Sequence, residues 1–337
     1  MADSPVRFGV NYLPGAARYT LHWAQVAEEC GFDIVGIADS QSLYRDVYMC
    51  LGLCAAGTSR IRLGPRVINP LTRHPAVAAG AAATLEEMAP GRTMLGIGTG
   101  DSAVLNLGLR PSTRARLRDY VQTVRQLLQR GEAQWDGRPL RMTWGRKTVP
   151  IYLAASGPKT LQLAGEIADG VIINTGLTPA IVCDSIAQVR LGAERAGRSL
   201  KDVDMWWLPL TNIRSDRAAA IDEIAMSLAS AGSHLSRFGI EGKHVPPALE
   251  APVIELGRRY HADQHDKPDS ENRTLIQELE LVDYLAERFA VAGTADDCVA
   301  KLEAAVDAGA RQFWMSIHFD DKERFLREWC AVIQRFR

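Results

Sequence analysis

Short apolar runs, each closed by a polar residue, alternate along this chain with stretches whose apolar residues recur at helical spacing. Residues 8–10 end at Asn11, 34–38 at Asp39-Ser40, 67–68 at Asn69, and 94–98 at Thr99-Gly100-Asp101. The series continues with 151–155 before Ser156, 171–173 before Asn174-Thr175, 206–210 before Thr211-Asn212, and 313–317 before His318. Runs of this length bounded by turn residues read as strands, and the periodicity between them reads as amphipathic helix. Helices are expected over 20–30, 47–57, 74–88, 113–131, 160–167, 179–196, 218–231 and 295–308. Eight strand-helix units predict an α/β fold, a (β/α)8 TIM barrel, whose parallel strands deliver their polar ends to one face.

The 337 residues exceed the roughly 250 of a plain barrel, so one domain spanning 1–337 with insertions is expected. The first insertion, about 132–149, contains Trp135-Asp136-Gly137-Arg138-Pro139 and reads as a hairpin-like excursion. The second, about 232–274, holds His234, His244, His261 and His265, the Pro246-Pro247 pair and a charged stretch. A segment of that length without regular periodicity reads as a lid.

A net charge of −1 and a pI near 6.7 give no basic field for nucleic acid. No apolar stretch approaches the ~20 residues of a membrane span. The first strand follows the N-terminus without signal-peptide features, which sets a cytoplasmic expectation. The six cysteines form no Cys-x-x-Cys pair and read as reduced thiols, Cys50 and Cys54 as a packed pair. His261 and His265 with Asp263 and Asp266 read as a solvated loop, and no metal site is expected.

Two segments carry candidate chemistry. In 94–101, Gly96, Gly98 and Gly100 alternate before Asp101, a pattern that admits a flat ligand close to the backbone or forms a tight turn. Its spacing is not that of a dinucleotide fingerprint. In Ala155-Ser156-Gly157-Pro158-Lys159-Thr160, a helix N-terminus offers free amides to an anion, Lys159 adds charge, and Asn174-Thr175-Gly176 adds donors. Plain helix capping is the other reading.

Together with Ala38-Asp39-Ser40, Arg66-Val67-Ile68-Asn69-Pro70, Arg73-His74-Pro75 and Asp169-Gly170, these segments resemble the bacterial-luciferase-like flavin or deazaflavin oxidoreductases. Within them the chain is similar to the methylenetetrahydromethanopterin reductase branch. The resemblance covers 8–213 and 289–318. It implies a cofactor ring at the strand ends beside Ser40, Arg66, Val67, Asn69, Gly98, Thr99 and Gly100. It also implies a cofactor phosphate near Ala155, Ser156, Gly157, Pro158, Asn174, Thr175 and Gly176, and a non-prolyl cis peptide in a strand-three bulge at Arg66-Val67.

Asp101 falls where deazaflavin-dependent relatives carry an acid, which implies proton transfer; capping of the next helix is the alternative. Asp39 and His74 are further catalytic candidates. Some relatives place a histidine directly after the aspartate where this chain has Ser40, and His74 also suits a structural hydrogen bond. His318 ends the last strand and has either a pocket or a core role. Trp206 and Trp207 alternate faces, one toward the barrel interior and one beneath the helices.

The leading functional expectation is a monooxygenase in which reduced FMN reacts with oxygen and oxidises a small organic substrate, supplied by a separate flavin reductase. Hydride transfer with coenzyme F420 is the alternative, and a non-catalytic flavin-binding barrel the third. A homodimer is expected by family analogy.

Overall fold

The computed structural model describes residues 5–261, 264, 270–318 and 321–337. Its strands are β1 (Arg7–Tyr12), β2 (Ile34–Ile37), β3 (Arg62–Pro65), β4 (Leu95–Ile97), β5 (Glu132–Trp135) and β6 (Arg138–Arg141). They continue as β7 (Ile151–Ala155), β8 (Gly170–Ile173), β9 (Asp204–Trp207), β10 (Leu210–Ile213), β11 (Ala290–Gly293) and β12 (Gln312–Ile317). The first helices are α1 (Ala17–Glu29), α2 (Val47–Gly57), α3 (Pro75–Met88), α4 (Ser102–Leu105), α5 (Arg114–Arg130), α6 (Pro158–Ile167) and α7 (Pro179–Arg195). The later ones are α8 (Arg217–Glu223), α9 (Ala225–Ser236), α10 (Glu250–Arg259), α11 (Glu271–Glu278), α12 (Val282–Phe289), α13 (Ala295–Asp307) and α14 (Lys322–Gln334).

Eight parallel strands run in the order β3-β2-β1-β12-β9-β8-β7-β4, and two parallel bridges, Leu63 to Thr93 and Ile68 to Ile97, join the sheet edges. This is the eight-stranded barrel the apolar runs predict. Strand alternation sorts side chains into two cores. On β12, Phe313, Met315 and Ile317 face the helices, while Trp314 joins Ile34, Met94, Tyr152, Ile172 and Trp206 inside the barrel. Trp206 lies inside and Trp207 beneath the helices, as their adjacency requires. Two inward glycines make room for the indole of Trp314: an added Cβ would come within 2.8 Å of that ring at both Gly9 and Gly36.

The N-terminal end of the barrel is closed by a polar network around Asp204. Its carboxylate accepts from Arg7 Nη2 at 2.7 Å, Tyr152 Oη at 2.8 Å and Trp206 Nε1 at 3.0 Å, and also from Gln312. Arg62 lies 3.7 Å away and donates to the Tyr152 hydroxyl.

Three departures from the sequence reading matter. The seventh run divides: β9 stays in the barrel, whereas β10 peels away and pairs in parallel with β11. Thr211 and Asn212 are therefore buried away from the strand-end face, and the Asn212 amide donates to the Ala220 carbonyl. The lid segment contains the end of α9, all of α10 and the start of α11, which with α12 form a second apolar core containing Leu228, Leu256, Ile276 and Leu285. The helix expected at 218–231 is two, α8 and α9, broken at Ile224.

The first insertion is the antiparallel hairpin β5–β6, with a turn at Asp136-Gly137 where both φ angles are positive. Cys50 and Cys54 are buried, and the described cysteines are free thiols. No helix among the described residues is long and apolar enough to cross a membrane. His265, Asp263 and Asp266 lie outside the described residues, and among those described no cluster of His, Cys, Asp and Glu is placed to hold a metal.

Candidate active site

The polar ends of the barrel strands surround a cavity of about 290 Å³, covered on one side by α9. Of the residues expected there, Asp39, Ser40, Arg66, Val67, Asn69, Gly98, Thr99, Gly100, Asp101, Ala155, Ser156 and Asn174 line it. His318 lines it as well. The peptide bond between Arg66 and Val67 is cis.

The β4 glycines have a different role from direct approach of a ligand to backbone. A Cβ at Gly96 would meet Pro65 O at 2.4 Å and Val67 Cγ1 at 2.9 Å, and one at Gly98 would meet Val67 Cγ2 at 2.9 Å. These positions are empty so that the Arg66-Val67 bulge can press across β4, which makes Val67 an apolar wall of the cavity. Gly100 has φ +104°, a conformation glycine adopts without steric cost, and it turns the chain into α4.

Asp101 precedes α4, yet its side chain does not cap that helix. Its carboxylate turns to the cavity, where Oδ2 lies 2.9 Å from His234 Nε2 and Oδ1 accepts from Arg237 Nη1 at 2.8 Å. Asn174 Nδ2 donates to the other ring nitrogen of His234 at 3.1 Å. His234 and Arg237 belong to the C-terminal end of α9, more than a hundred residues from Asp101 in sequence. Nothing in the sequence pattern singles them out from the other polar residues of the lid.

Asp39 is committed elsewhere. Arg73 grips it through Nε at 2.7 Å and Nη2 at 2.8 Å, and the carboxylate is only 5% exposed. A bidentate guanidinium partner fixes the orientation of this carboxylate in the cavity wall. Ser40 accepts from Ser102 Oγ at 3.0 Å and so braces the turn carrying Asp101. Asn69 spends its amide on a local turn, its Oδ1 accepting from the backbone of Leu71 and Thr72 at 3.0 Å each.

His74 lies outside the cavity. Its Nδ1 accepts from Ala76 N at 3.3 Å as the cap of α3, and its ring sits edge-on to Trp135. The structural hydrogen bond accounts for this residue.

Arg66 reaches along the cavity floor to β12, donating to Trp314 O at 3.1 Å and to Ser316 Oγ. Burial pulls its guanidinium down to about 9, which still leaves it charged at neutral pH. Among the described residues no carboxylate pairs with it.

The expected phosphate side is only partly exposed to the cavity. Gly157, Pro158, Thr175 and Gly176 do not line it: Pro158 opens α6, and Thr175 Oγ1 bonds Ser185 Oγ at 2.8 Å. Lys159 is exposed. Behind this corner stand two buried cations the sequence reading missed. Lys243 donates to the carbonyls of His234 and Leu235 at 3.0 Å and of Arg237 at 2.6 Å, and its Cε lies 3.2 Å from a Cβ built on Gly157.

Arg288 donates to Thr175 O at 2.8 Å and Lys243 O at 2.7 Å and fills the space beside Gly176. Among the described residues neither pairs with a carboxylate. Burial, reinforced by the charges of Arg237 and Arg288, lowers the Lys243 ammonium to about 8, and burial also lowers Arg288. The nearby N-terminus of α6 has no side-chain cap. Uncapped amides beside unpaired cations make an anion-attracting corner.

A closed barrel with a polar, partly charged cavity at its strand ends defines a barrel enzyme of the ligand-binding type. The chain belongs to the luciferase-like monooxygenase family, whose pattern matches residues 4–312. It is 32% identical to a 5,10-methylenetetrahydromethanopterin reductase of Methanolobus tindarius over 90% of this chain and 92% of the relative. It is 31% identical to an F420-dependent glucose-6-phosphate dehydrogenase of Nakamurella multipartita, over 97% and 95% of the two chains.

Among solved structures, the coenzyme F420 dependent tetrahydromethanopterin reductase from Methanopyrus kandleri aligns with a TM-score of 0.78 at 26% identity, covering 99% of this chain and 100% of that one. With these relatives the protein is an oxidoreductase of this family.

Proposed function

We propose that the protein is a coenzyme F420-dependent oxidoreductase that moves a hydride between the deazaflavin and a small organic substrate. This reverses the order set by sequence, in which reduced FMN and oxygen led. The observation that carries the reading is the buried pair Lys243 and Arg288, held without carboxylate partners among the described residues behind the uncapped start of α6. Carbonyls satisfy the hydrogen bonds of both cations, with Tyr284 Oη a further acceptor for Arg288, but no carboxylate among the described residues balances their charge, and an acidic-tailed cofactor or a phosphorylated substrate supplies an anion that does. The similarity to proteins named as F420-dependent supports the same choice.

The residues present fit such a group. Val67, Ala154, Ile172 and Leu208 offer an apolar slot for a planar ring, and Arg66 offers a cation at its floor. Bound there, a deazaflavin supplies a two-electron hydride carrier. This chain's part is to orient substrate against it and to handle the accompanying proton at the Asp101 carboxylate, while α9 covers the cavity. A separate flavin reductase has no place in this reading.

Titration of the purified protein with F420 and with FMN tests the proposal directly. Quenching of deazaflavin fluorescence at micromolar concentration, with FMN much weaker, is the expected result. Preferential binding of FMN, together with oxygen consumption when it is reduced, would overturn it.

Affinity for F420 should also fall as pH rises past about 8, where Lys243 loses its charge. Coulomb attraction at several ångströms through a partly screened interior makes the loss about 3–10-fold, readable from fluorescence titrations at pH 7 and pH 9.

The expected homodimer has a candidate face. Met49 and Leu53 on α2 and Val77 and Met88 on α3 are exposed, Met49 at 73%. Such a patch suits a second copy. Light scattering should give twice the chain mass, and Met49→Glu should shift it toward the monomer.

A further inference from the structure

We infer that Arg66 gives the cavity floor a fixed cation that binds the reduced, more negative form of the cofactor ring more tightly than the oxidised form, so that the site favours drawing hydride out of its substrate. The inference rests on the hydride-transfer reading above and adds a direction to it.

Arg66, Lys243 and Arg288 all lack a carboxylate partner among the described residues, but they differ in what they have left to give. Lys243 spends its N–H donors on the carbonyls of His234, Leu235 and Arg237. Arg288 places Nε on Thr175 O, Nη1 on His244 O and Tyr284 Oη, and Nη2 on Lys243 O. Neither of these two lines the cavity.

Arg66 does line it. One N–H at Nη1 goes to Trp314 O at 3.1 Å and one at Nη2 to Ser316 Oγ, and the rest of the guanidinium donors have no acceptor among the described residues. The Asn11 amide oxygen, across the β1–β12 register from Ser316, stays without a partner and takes none of them. The Ser316 hydroxyl accepts from Arg66 and keeps its own O–H to donate.

Gly36 makes this placement possible. A Cβ added there would lie 3.0 Å from Arg66 Cβ, 3.0 Å from Asn11 Oδ1 and 2.8 Å from the Trp314 ring, so the missing side chain leaves room for the arginine stem to cross toward β12. The guanidinium carbon then stands 5.7 Å from the centre of the Trp314 ring, which is fully buried. An apolar neighbour on that side excludes water and leaves the charge less screened. The apolar slot of Val67, Ala154, Ile172 and Leu208 belongs to the same cavity, so a planar ring held there lies within the field of Arg66.

Hydride carries one proton and two electrons. Its arrival on a bound deazaflavin adds one unit of negative charge, while the organic donor breaks a C–H bond, loses that hydride and releases a proton to solvent. A fixed cation beside the ring favours the more negative form. Cations facing the acidic tail act differently, because the tail is the same in both oxidation states and their attraction cancels from the ratio of affinities. On this protein the equilibrium is thus drawn toward reduced cofactor and oxidised substrate, the direction of a dehydrogenase.

Equilibrium dialysis of the full chain at pH 7 tests the inference, with oxidised F420 and with borohydride-reduced F420 under nitrogen, each read by absorbance. The wild type should bind the reduced form about 10–100-fold more tightly, equivalent to about 30–60 mV for a two-electron couple. Arg66→Met should bring the two affinities within a factor of about three, and Arg66→Lys, which keeps the charge, should retain most of the preference.

Equal affinities in the wild type, or tighter binding of the oxidised form, would overturn the inference without recourse to any variant. So would a preference that survives in Arg66→Met shown by circular dichroism to be folded. Failure of the cofactor reading appears separately, as retention of neither form of F420 by the wild-type protein.

Discussion

Asp101→Asn is expected to lower turnover by about 10²–10³-fold, the usual contribution of a positioned general acid or base, while F420 affinity stays within a factor of about three. The separation follows from the structure. Asp101 touches the cavity through a carboxylate that does not cap α4, so its replacement removes a proton acceptor without dismantling the turn. The turn itself is held by backbone, with Val104 N and Leu105 N donating to the Asp101 carbonyl at 2.8 and 2.9 Å. Asparagine keeps the shape and one acceptor oxygen for Arg237 or His234, but its NH₂ meets the remaining donor.

Single-turnover hydride transfer, followed by the deazaflavin absorbance, is the measurement, with fluorescence titration as the binding control. Equal rates in the two proteins would remove Asp101 from proton transfer.

The second large effect concerns the opposite end of the barrel. Asp204→Ala should destabilise the fold by about 3 kcal/mol, because it leaves Arg7 and Arg62 in a largely enclosed site without their common carboxylate. Burial by itself would raise the carboxyl's proton affinity. The charge of Arg7 and hydrogen bonds from Gln312, Tyr152 and Trp206 outweigh it, so Asp204 stays below the usual carboxylate range.

The sign follows by linkage. A group with a depressed folded value contributes stability that is fully present above its unfolded value, about 3.9, and lost as pH falls through the folded one. Wild type and Asp204→Ala should therefore differ most at neutral pH, and in urea denaturation the difference should begin to shrink near pH 3.9 and close as pH falls through the lower folded value.

The barrel was legible because most of its strands carry their own signal; the third is the exception, since the expected run 67–68 follows β3 (Arg62–Pro65) and belongs to the bulge. A run such as Ile34-Val35-Gly36-Ile37 closed by Asp39-Ser40 states both the element and the end of the sheet to which its polar residues belong. The bulge at Arg66-Val67 and the cavity position of Asp101 followed from motif resemblance, and the structure places both at the strand ends. Reading failed where periodicity was weak. The segment 232–274 reads as an irregular lid, yet it holds the end of α9, all of α10 and the start of α11, and these helices join α12 in a core that buries Leu228, Leu256, Ile276 and Leu285, assembled from short helices separated in sequence. His74 attracted a catalytic reading through its place in a motif, but a histidine before Pro75 serves equally to cap α3.

The sequence by itself determined most of the barrel strands and the common face of their polar ends, since local alternation and turn chemistry are written in neighbouring residues. Only the tertiary structure decided which groups contact Asp101 and where the positive charge lies. His234 and Arg237 reach Asp101, and Lys243 and Arg288 reach the corner by Gly157 and Gly176, through contacts between residues far apart along the chain. Charge interactions depend on distance and burial in space, and neither is encoded in spacing along the chain.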